Sequence, residues 1–207
     1  MDSIMNNRYP KQQEVGMMPI SGNNMELVPA IEDDREEIYK WLCHSDLTTS
    51  VMGPPLYPDH PVPSYQEFSA EYPLSFFNES ADGFGKVFII IVDGEKVGTV
   101  GYDLLDRQKG RVVLDIWMRA QKFCGRGYGS RALLLLNGYI HDTFGISTFQ
   151  ISPSGKNSRA IAAFQKAGFN IIRLLDRNEQ EAMFGVSEYE TNLLMEKIMV
   201  GGGNENH

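Results

Sequence analysis

The sequence "FCGRGYGSR" at residues 123–131 constrains the fold more than any other stretch, because three glycines at alternate positions stand directly before the apolar run "ALLLL". Glycine loses much conformational entropy on folding, so such a cluster before a strong helix indicates a loop whose backbone is approached closely. The strand-like "VVLDIWMR" precedes the loop, and the alternating apolar stretch "STFQISP" follows the helix. Strand, glycine loop, helix and strand form a crossover unit, which predicts two neighbouring parallel strands.

The remaining patterns predict a mixed α/β domain with a sheet of about seven strands. "MELVPA" indicates a strand, and "IEDDREEIYKWLC" indicates the helix that follows it. Three strand-like runs between residues 86 and 119 are separated by the hairpin signals "DGE" and "DRQKG", which predicts an antiparallel N-terminal half of the sheet. "SGKNSRAIAAFQKAGF" predicts a second helix closed by Gly168, and "NIIRLL" and "YETNLLMEKIM" predict the last two strands.

The chain is divided by these patterns into a flexible leader over residues 1–24, one domain over residues 25–199 and a disordered tail over residues 200–207. Between the first helix and the strand meander, residues 44–86 are rich in proline, aromatic and acidic residues, which excludes a long helix. One short helix is predicted there, because Ser64 is followed three residues later by Glu67 as a capping box.

Composition excludes several classes of protein. The chain has 207 residues, of which 42% are hydrophobic, enough for one core. Its net charge of −8 argues against nucleic acid as a partner, and its apolar runs are too short for a membrane span. The two cysteines and the histidines have no metal-ligand spacing, so we expect no metal site and a reducing, cytoplasmic location. A homodimer is left open.

Three interpretations of the glycine loop compete. The glycines could form only a tight connection that binds nothing. A dinucleotide fold fails, because "AQKFC" separates the strand from Gly125 and no acidic residue ends the next strand. A nucleotide triphosphate loop fails because no Gly-Lys-Ser/Thr follows. The third interpretation is a pyrophosphate held by the amides of Gly125, Gly127 and Gly129 and by the dipole of the helix, with Arg126 and Arg131 nearby.

Two motifs together make the chain similar to a known family. "WMRAQKFCGRGYGSRALLLL" resembles the acyl-coenzyme A signature of the GNAT superfamily of N-acetyltransferases, which is Arg or Gln, two residues, Gly, one residue, then Gly or Ala. "NSRAIAAFQKAGF" resembles the second signature of that family, Asn-x-x-Ala near the start of a helix that ends in Gly-Phe. The resemblance covers residues 25–199, and it implies the GNAT fold with the parallel crossover splayed at the acyl-CoA site.

The resemblance implies an acyltransferase that moves an acetyl group from acetyl-CoA directly to a primary amine in a ternary complex. It implies that pantetheine pairs with the backbone of the strand before the loop, with an N–H of that strand near the thioester oxygen. The residues implied to bind the coenzyme are Trp117, Met118, Arg119, Cys124, Gly125, Arg126, Gly127, Tyr128, Gly129, Ser130, Asn157, Ala160 and Phe164.

Asp115 is the candidate catalytic base, because it lies in an otherwise apolar strand just upstream of those backbone groups. Burial among its apolar neighbours would raise its pKa toward a range useful for accepting a proton from the amine. Two alternatives stay open at this point: Asp115 faces solvent, or it makes only a structural hydrogen bond.

Two positions depart from the family pattern. Cys124 stands where Arg or Gln is usual, which removes a side chain from the pyrophosphate and predicts weaker coenzyme binding. Phe164 stands where many members have a Tyr that protonates the leaving thiolate. Tyr102 and Tyr128 are the alternative proton donors that the sequence offers.

Residues 44–86 fall where the family builds the lid over the acceptor. Its acidic and tyrosine side chains suit a small cationic amine, with an ordinary solvated acidic surface as the alternative; they are Asp46, Asp59, Glu67, Glu71, Glu79, Asp82, Tyr57, Tyr65 and Tyr72. An enzyme acting on protein N-termini and a non-catalytic acyl-CoA sensor remain the competing functions.

Overall fold

The structure is a computed structural model that describes residues 19–51, 62–78, 85–106, 110–185 and 191–199. Within these residues eight strands and six α-helices follow one another along the chain. In order they are β1 (Ile20–Gly22), β2 (Met25–Pro29), α1 (Arg35–Cys43), α2 (Thr48–Val51), α3 (Tyr65–Glu71), β3 (Gly85–Val92), β4 (Glu95–Asp106), β5 (Arg111–Met118), α4 (Tyr128–Phe144), β6 (Thr148–Ile151), α5 (Ser158–Lys166), β7 (Asn170–Leu175), α6 (Arg177–Phe184) and β8 (Asn192–Ile198).

The strands form one sheet in the order β1-β2-β3-β4-β5-β6-β8-β7. Neighbours are antiparallel except β5 and β6, which are parallel and are connected through the glycine loop and α4. The predicted mixed sheet, with its antiparallel meander and one parallel crossover, is therefore confirmed. The described sheet has eight strands where the sequence predicted about seven.

The additional strand is β1, which lies in the segment assigned to the flexible leader. Ile20 pairs with Leu27 and Gly22 with Met25, so β1 and β2 form a hairpin with a two-residue turn. Asn23 adopts φ 51° in that turn, a left-handed conformation that asparagine tolerates better than most residues. The assignment of residues 20–24 to the leader was wrong, whereas residues 1–18 and 200–207 lie outside the described residues.

Two hydrophobic clusters cover the two faces of the sheet. The larger lies under α4 and α5, and Leu133, Leu136 and Ile140 of α4 are fully buried in it. The smaller lies under α1 and α3, and Trp41, Phe68 and Trp117 belong to it. Because side chains alternate along a strand, β5 presents Val112 and Leu114 to the first cluster and Trp117 to the second.

Local signals set most helix ends. The predicted capping box is present at α3, where the Ser64 hydroxyl accepts from the Glu67 N–H and the Glu67 carboxylate accepts from the Ser64 N–H. Gly168 has φ 90° just past α5, as its predicted role in ending that helix requires. Helices α2 and α6 were not predicted. None of the described helices has the length and apolar character that a membrane span needs.

Candidate active site

The sheet opens between β5 and β6. Their pairing covers only Arg111–Val113 against 148–150, although β5 continues to Met118. The Arg119 N–H bonds to the Val97 carbonyl, so odd-numbered residues of β5 direct their backbone toward β4. The even-numbered residues direct their backbone N–H and C=O groups to the opening between β5 and β6. Past Val113 these residues are Leu114, Ile116 and Met118, and no described strand pairs with them.

The register gives the residues expected to contact the coenzyme different backbone directions. Of the three residues implied to pair with pantetheine, only Met118 has its backbone on the open side of β5. The N–H of Arg119 is already bonded, and the Trp117 backbone faces Thr99 of β4. The backbone of Ile116 also lies on the open side, although its N–H donates to the Asp115 carboxylate. The motif could not show this, because the side toward which a strand residue directs its backbone depends on the register with its partner strand.

The glycine loop supplies the N-terminus of α4. Gly125 and Gly127 are left-handed, at φ 72° and 79°, conformations that cost a residue with a Cβ about 1–2 kcal/mol. Gly127 is the N-cap of the 17-residue α4, and no side chain caps that end. The first N–H groups of the helix and its dipole thus remain available for an anion, as the pyrophosphate interpretation requires.

The polar side chains around the loop have other partners. Arg131 donates to the Asn24 side chain at 2.7 Å, so its guanidinium is engaged at the β1–β2 turn and not at the loop. Arg126 is exposed and donates to the Lys122 carbonyl at 2.8 Å. The buried Ser130 hydroxyl donates to the Ala163 carbonyl at 2.8 Å and joins α4 to α5. Backbone amides, more than these side chains, form the surface of the loop.

The start of α5 forms the next part of the site. The side-chain oxygen of Asn157 accepts from the Ala160 N–H at 3.1 Å and caps the helix, which is the local reason for the Asn-x-x-Ala spacing. Asn157 and Arg159 line a groove of about 190 Å³ together with Ser50, Ser154, Lys156 and Ser158. Arg159 is also close enough to Cys124 to lower the pKa of its thiol, although desolvation by burial, the larger effect, raises that pKa.

Phe164 and the two tyrosines considered as proton donors lie on the α4 side of the sheet. Phe164 is buried in the larger cluster, with its ring 6.4 Å from that of Phe169. Tyr102 is buried in the same cluster between Phe88 and Phe144. Tyr128, the first residue of α4, packs against that cluster too. The contact of Phe164 with the coenzyme stays a prediction.

Asp115 lies on the opposite face, the face of α1 and α3, where it is exposed; the region that it forms with Glu71 and Tyr72 is called the cleft below. Its Oδ2 accepts a hydrogen bond of 2.5 Å from the Tyr72 hydroxyl. The pKa of Asp115 is raised chiefly by desolvation, while hydrogen bonds from Tyr72 and from the Ile116 N–H oppose that rise. The direction agrees with the base interpretation, and solvent exposure keeps the carboxylate within reach of a substrate.

Only two of the acidic and tyrosine side chains of the lid segment reach Asp115 among the residues described. They are Glu71, whose pKa is raised by desolvation and by the Asp115 charge, and Tyr72. Asp46 instead accepts from the Gln121 N–H at 2.8 Å beside the glycine loop, and Glu67 serves in the capping box of α3. Tyr65 is exposed on α3, and the remaining members, Tyr57, Asp59, Glu79 and Asp82, lie outside the described residues.

A sheet opened between two parallel strands, beside a helix N-terminus formed by a glycine loop, is the arrangement that the resemblance to acyltransferases led us to expect. The sequence profile described as "Acetyltransferase (GNAT) domain" matches residues 24–170. The chain therefore belongs to the GNAT acetyltransferase family, and the predicted family and fold are confirmed.

Solved structures give the same fold. Aminoglycoside acetyltransferase AAC(6')-Ib in complex with ribostamycin and coenzyme A is 18% identical, covering 85% of this chain and 94% of that one, with a TM-score of 0.65. The ribosomal L7/L12 α-N-protein acetyltransferase RimL in complex with coenzyme A is 16% identical, covering 88% and 98%, with a TM-score of 0.68. Spermidine N-acetyltransferase from Vibrio cholerae in complex with coenzyme A and spermine is 13% identical, covering 86% and 96%, with a TM-score of 0.64. No curated protein sequence matches the chain significantly.

Proposed function

We propose that this protein is an N-acetyltransferase that transfers an acetyl group from acetyl-CoA to a primary amine of a small cationic molecule, by direct attack in a ternary complex. The observation that carries the proposal is the pair of carboxylates, Glu71 and Asp115, on a solvent-accessible cleft next to the opened edge of β5.

The donor side of the proposal rests on the opened sheet and on the start of α4. Backbone N–H and C=O groups need hydrogen-bond partners, and the free edge of β5 offers a row of them to the amides of a pantetheine arm. The left-handed loop and the α4 N-terminus suit a pyrophosphate. All three similar structures described above contain coenzyme A.

The acceptor side rests on two carboxylates that have no ion-pair partner among the described residues. No Lys or Arg occurs between Lys40 and Lys86, and no described Lys or Arg makes an ion pair with Glu71 or Asp115. Desolvation, and after it the charge of Asp115, raises the pKa of Glu71, and a bound ammonium group would offset both effects. Two of the similar structures contain amines, ribostamycin and spermine.

In this mechanism Asp115 accepts, directly or through water, the proton that the ammonium must lose before its nitrogen attacks. The new C–N bond forms at the thioester carbonyl as the C–S bond breaks, with backbone N–H groups of β5 facing the developing oxyanion. Acetyl-CoA supplies the activated acyl group and a thiolate leaving group. A thiol has an ordinary pKa of about 8.5, so this thiolate can take its proton from solvent, and Phe164 need not donate one.

The experiment measures release of free thiol from acetyl-CoA with monoamines, polyamines, aminoglycosides and a peptide with a free N-terminus. We expect turnover with the polycationic amines. Asp115→Asn should lower kcat at neutral pH about a hundredfold, a typical loss for a general base, with unchanged affinity for coenzyme A. Glu36→Gln, which removes an exposed carboxylate from α1, is the control and should have wild-type kinetics.

A second variant tests which class of amine is the acceptor. Glu71→Gln should raise KM for polyamines while leaving KM for a monoamine unchanged, because only a polyamine has a second ammonium group. Turnover with the peptide alone would identify an N-terminal acetyltransferase and contradict the acceptor assignment. Tight binding of acetyl-CoA without thiol release for any amine would contradict the enzyme assignment and identify an acyl-CoA sensor.

A further inference from the structure

Tyr72 is the side chain in the cleft whose role the expected mechanism does not explain. It follows α3 as its C-cap residue, and its hydroxyl reaches across the cleft to Asp115, 43 residues further along the chain. Its ring is stacked on Phe68 with centroids 4.9 Å apart and meets Trp117 edge-on at 5.8 Å. Two aromatic contacts therefore fix the ring, and the hydrogen bond fixes its hydroxyl.

Arg35 of α1 holds the backbone of the same residue. Its guanidinium donates through Nε and Nη2 to the Tyr72 carbonyl, and through Nη2 at 2.6 Å to the Ser69 carbonyl. It also lies over the Phe77 ring, 5.5 Å from the centroid. Carbonyls at a helix C-terminus carry partial negative charge, so a buried arginine there fixes the end of α3 relative to α1.

Asp115 depends on this support. Among the described residues, the hydrogen bonds to its carboxylate come from Tyr72 and from the N–H of its own neighbour, Ile116. Because the side chain is exposed, the carboxylate can still meet an amine or a water. We propose that Tyr72 is a positioning residue for the transfer reaction: it fixes the rotamer of Asp115 and keeps the carboxylate ionised, and Arg35 fixes Tyr72. This inference rests on the proposed function.

The charged and titratable groups around Tyr72 and Asp115 favour a protonated Tyr72 hydroxyl, which donates the hydrogen bond. Glu71 faces the pair from α3, Cys43 from α1 and Asp115 from β5, whereas the cation of Arg35 faces carbonyls. Burial, followed by the charges of Asp115 and Glu71, raises the pKa of Tyr72 well above its ordinary value. Tyr72 thus stays protonated across the pH range in which Asp115 titrates.

The test is Tyr72→Phe, which keeps the ring and removes the hydroxyl. The lost hydrogen bond stabilised the charged carboxylate, so the pKa of Asp115 should rise, and the acid limb of the kcat profile should move to higher pH. We expect kcat to fall about tenfold, the usual effect of one hydrogen bond to a charged group, with KM for acetyl-CoA unchanged. Tyr65→Phe, on the exposed side of α3, is the matched control.

A second variant and a second measurement separate this inference from the proposed function. Arg35→Lys keeps the charge but loses the forked contact, so it should shift the acid limb in the same direction and lower the melting temperature. Carbon-13 NMR of the Asp115 carboxyl follows its titration without turnover, and a higher pKa in Tyr72→Phe is expected even if no amine is acetylated. An Asp115 titration identical in wild type and Tyr72→Phe would overturn the inference.

Discussion

Arg159 is the single residue that changes the interpretation of the glycine loop. The loop has Cys124 where the family usually has Arg or Gln, and the sequence therefore predicted weaker coenzyme binding. In the fold, Arg159 from the first turn of α5 is near enough to act on the Cys124 thiol electrostatically. Helix α5 therefore contributes a cation, the Arg159 guanidinium, beside the loop in which Cys124 replaces the usual Arg or Gln.

We expect Arg159→Ala to raise KM for acetyl-CoA about tenfold, the usual cost of one hydrogen bond to a charged group, with little change in kcat. The double variant Arg159→Ala/Cys124→Arg should recover most of the loss, because it returns a cation to the loop itself. Arg177→Ala removes another exposed arginine, on α6, and is the control. Steady-state kinetics measure KM for acetyl-CoA in each variant. A double variant with the same KM as Arg159→Ala would refute the compensation.

The contacts of single residues across the cleft could not be predicted from sequence. Asp115 was found because a carboxyl in an apolar strand is a local anomaly. Tyr72 and Glu71 had no such signal, because other acids and tyrosines of the same segment look equivalent, and Glu67 has a local capping function instead. What distinguishes Tyr72 is that α3 ends opposite β5, a relation between elements far apart in the sequence.

At the level of elements, α4 is the helix on which the donor site depends, and its N-cap glycine and one glycine in its interior should respond to alanine in opposite ways. Gly127 has φ 79°, whereas Gly138 lies within the helix, and a Cβ would meet no atom within 4 Å at either position. Gly127→Ala should destabilise the fold by about 1–2 kcal/mol through its backbone conformation and raise KM for acetyl-CoA.

Gly138→Ala should stabilise the fold by about 1 kcal/mol, because alanine is the better helix former, and should leave KM unchanged. Urea denaturation measures both changes. Equal effects of the two substitutions would mean that the left-handed conformation of the loop does not contribute to stability.

Most elements with local signals were predicted, with α6 as the exception, and elements without such signals were missed. The meander, α4 and α5 have apolar periodicity with glycine or capping residues at their ends, and the structure has them. Helix α6 carries a capping box from Asp176 to Glu179, a signal that the sequence offered. Strand β1 is three residues long and owes its conformation to its pairing with β2, which no local pattern could reveal.

At the level of the whole molecule, the order of strands separates donor and acceptor. The loop and α4 lie on one face of the sheet, the Asp115 cleft lies on the other, and the opening between β5 and β6 connects them. The sequence predicted the crossover but not that β8 would lie between β6 and β7, because strand order at an edge depends on packing of the complete chain.

This arrangement makes a prediction for amide hydrogen exchange. Coenzyme A should slow exchange at Leu114 and Met118, whose backbone faces the opening, because bound pantetheine would occupy it. Arg119, whose N–H is bonded to Val97, should exchange at the same rate with and without coenzyme A and serves as the internal control. Protection of all three amides to the same degree would contradict the assigned position of the pantetheine arm.

The short pairing between β5 and β6 also has a mechanical consequence. It divides the sheet into a half of five strands and a half of three, and among the described residues the backbone pairing of 110–113 with β6 joins these halves. A ligand that spans the opening would contact both halves of the sheet, so its binding should raise the thermal stability of the protein.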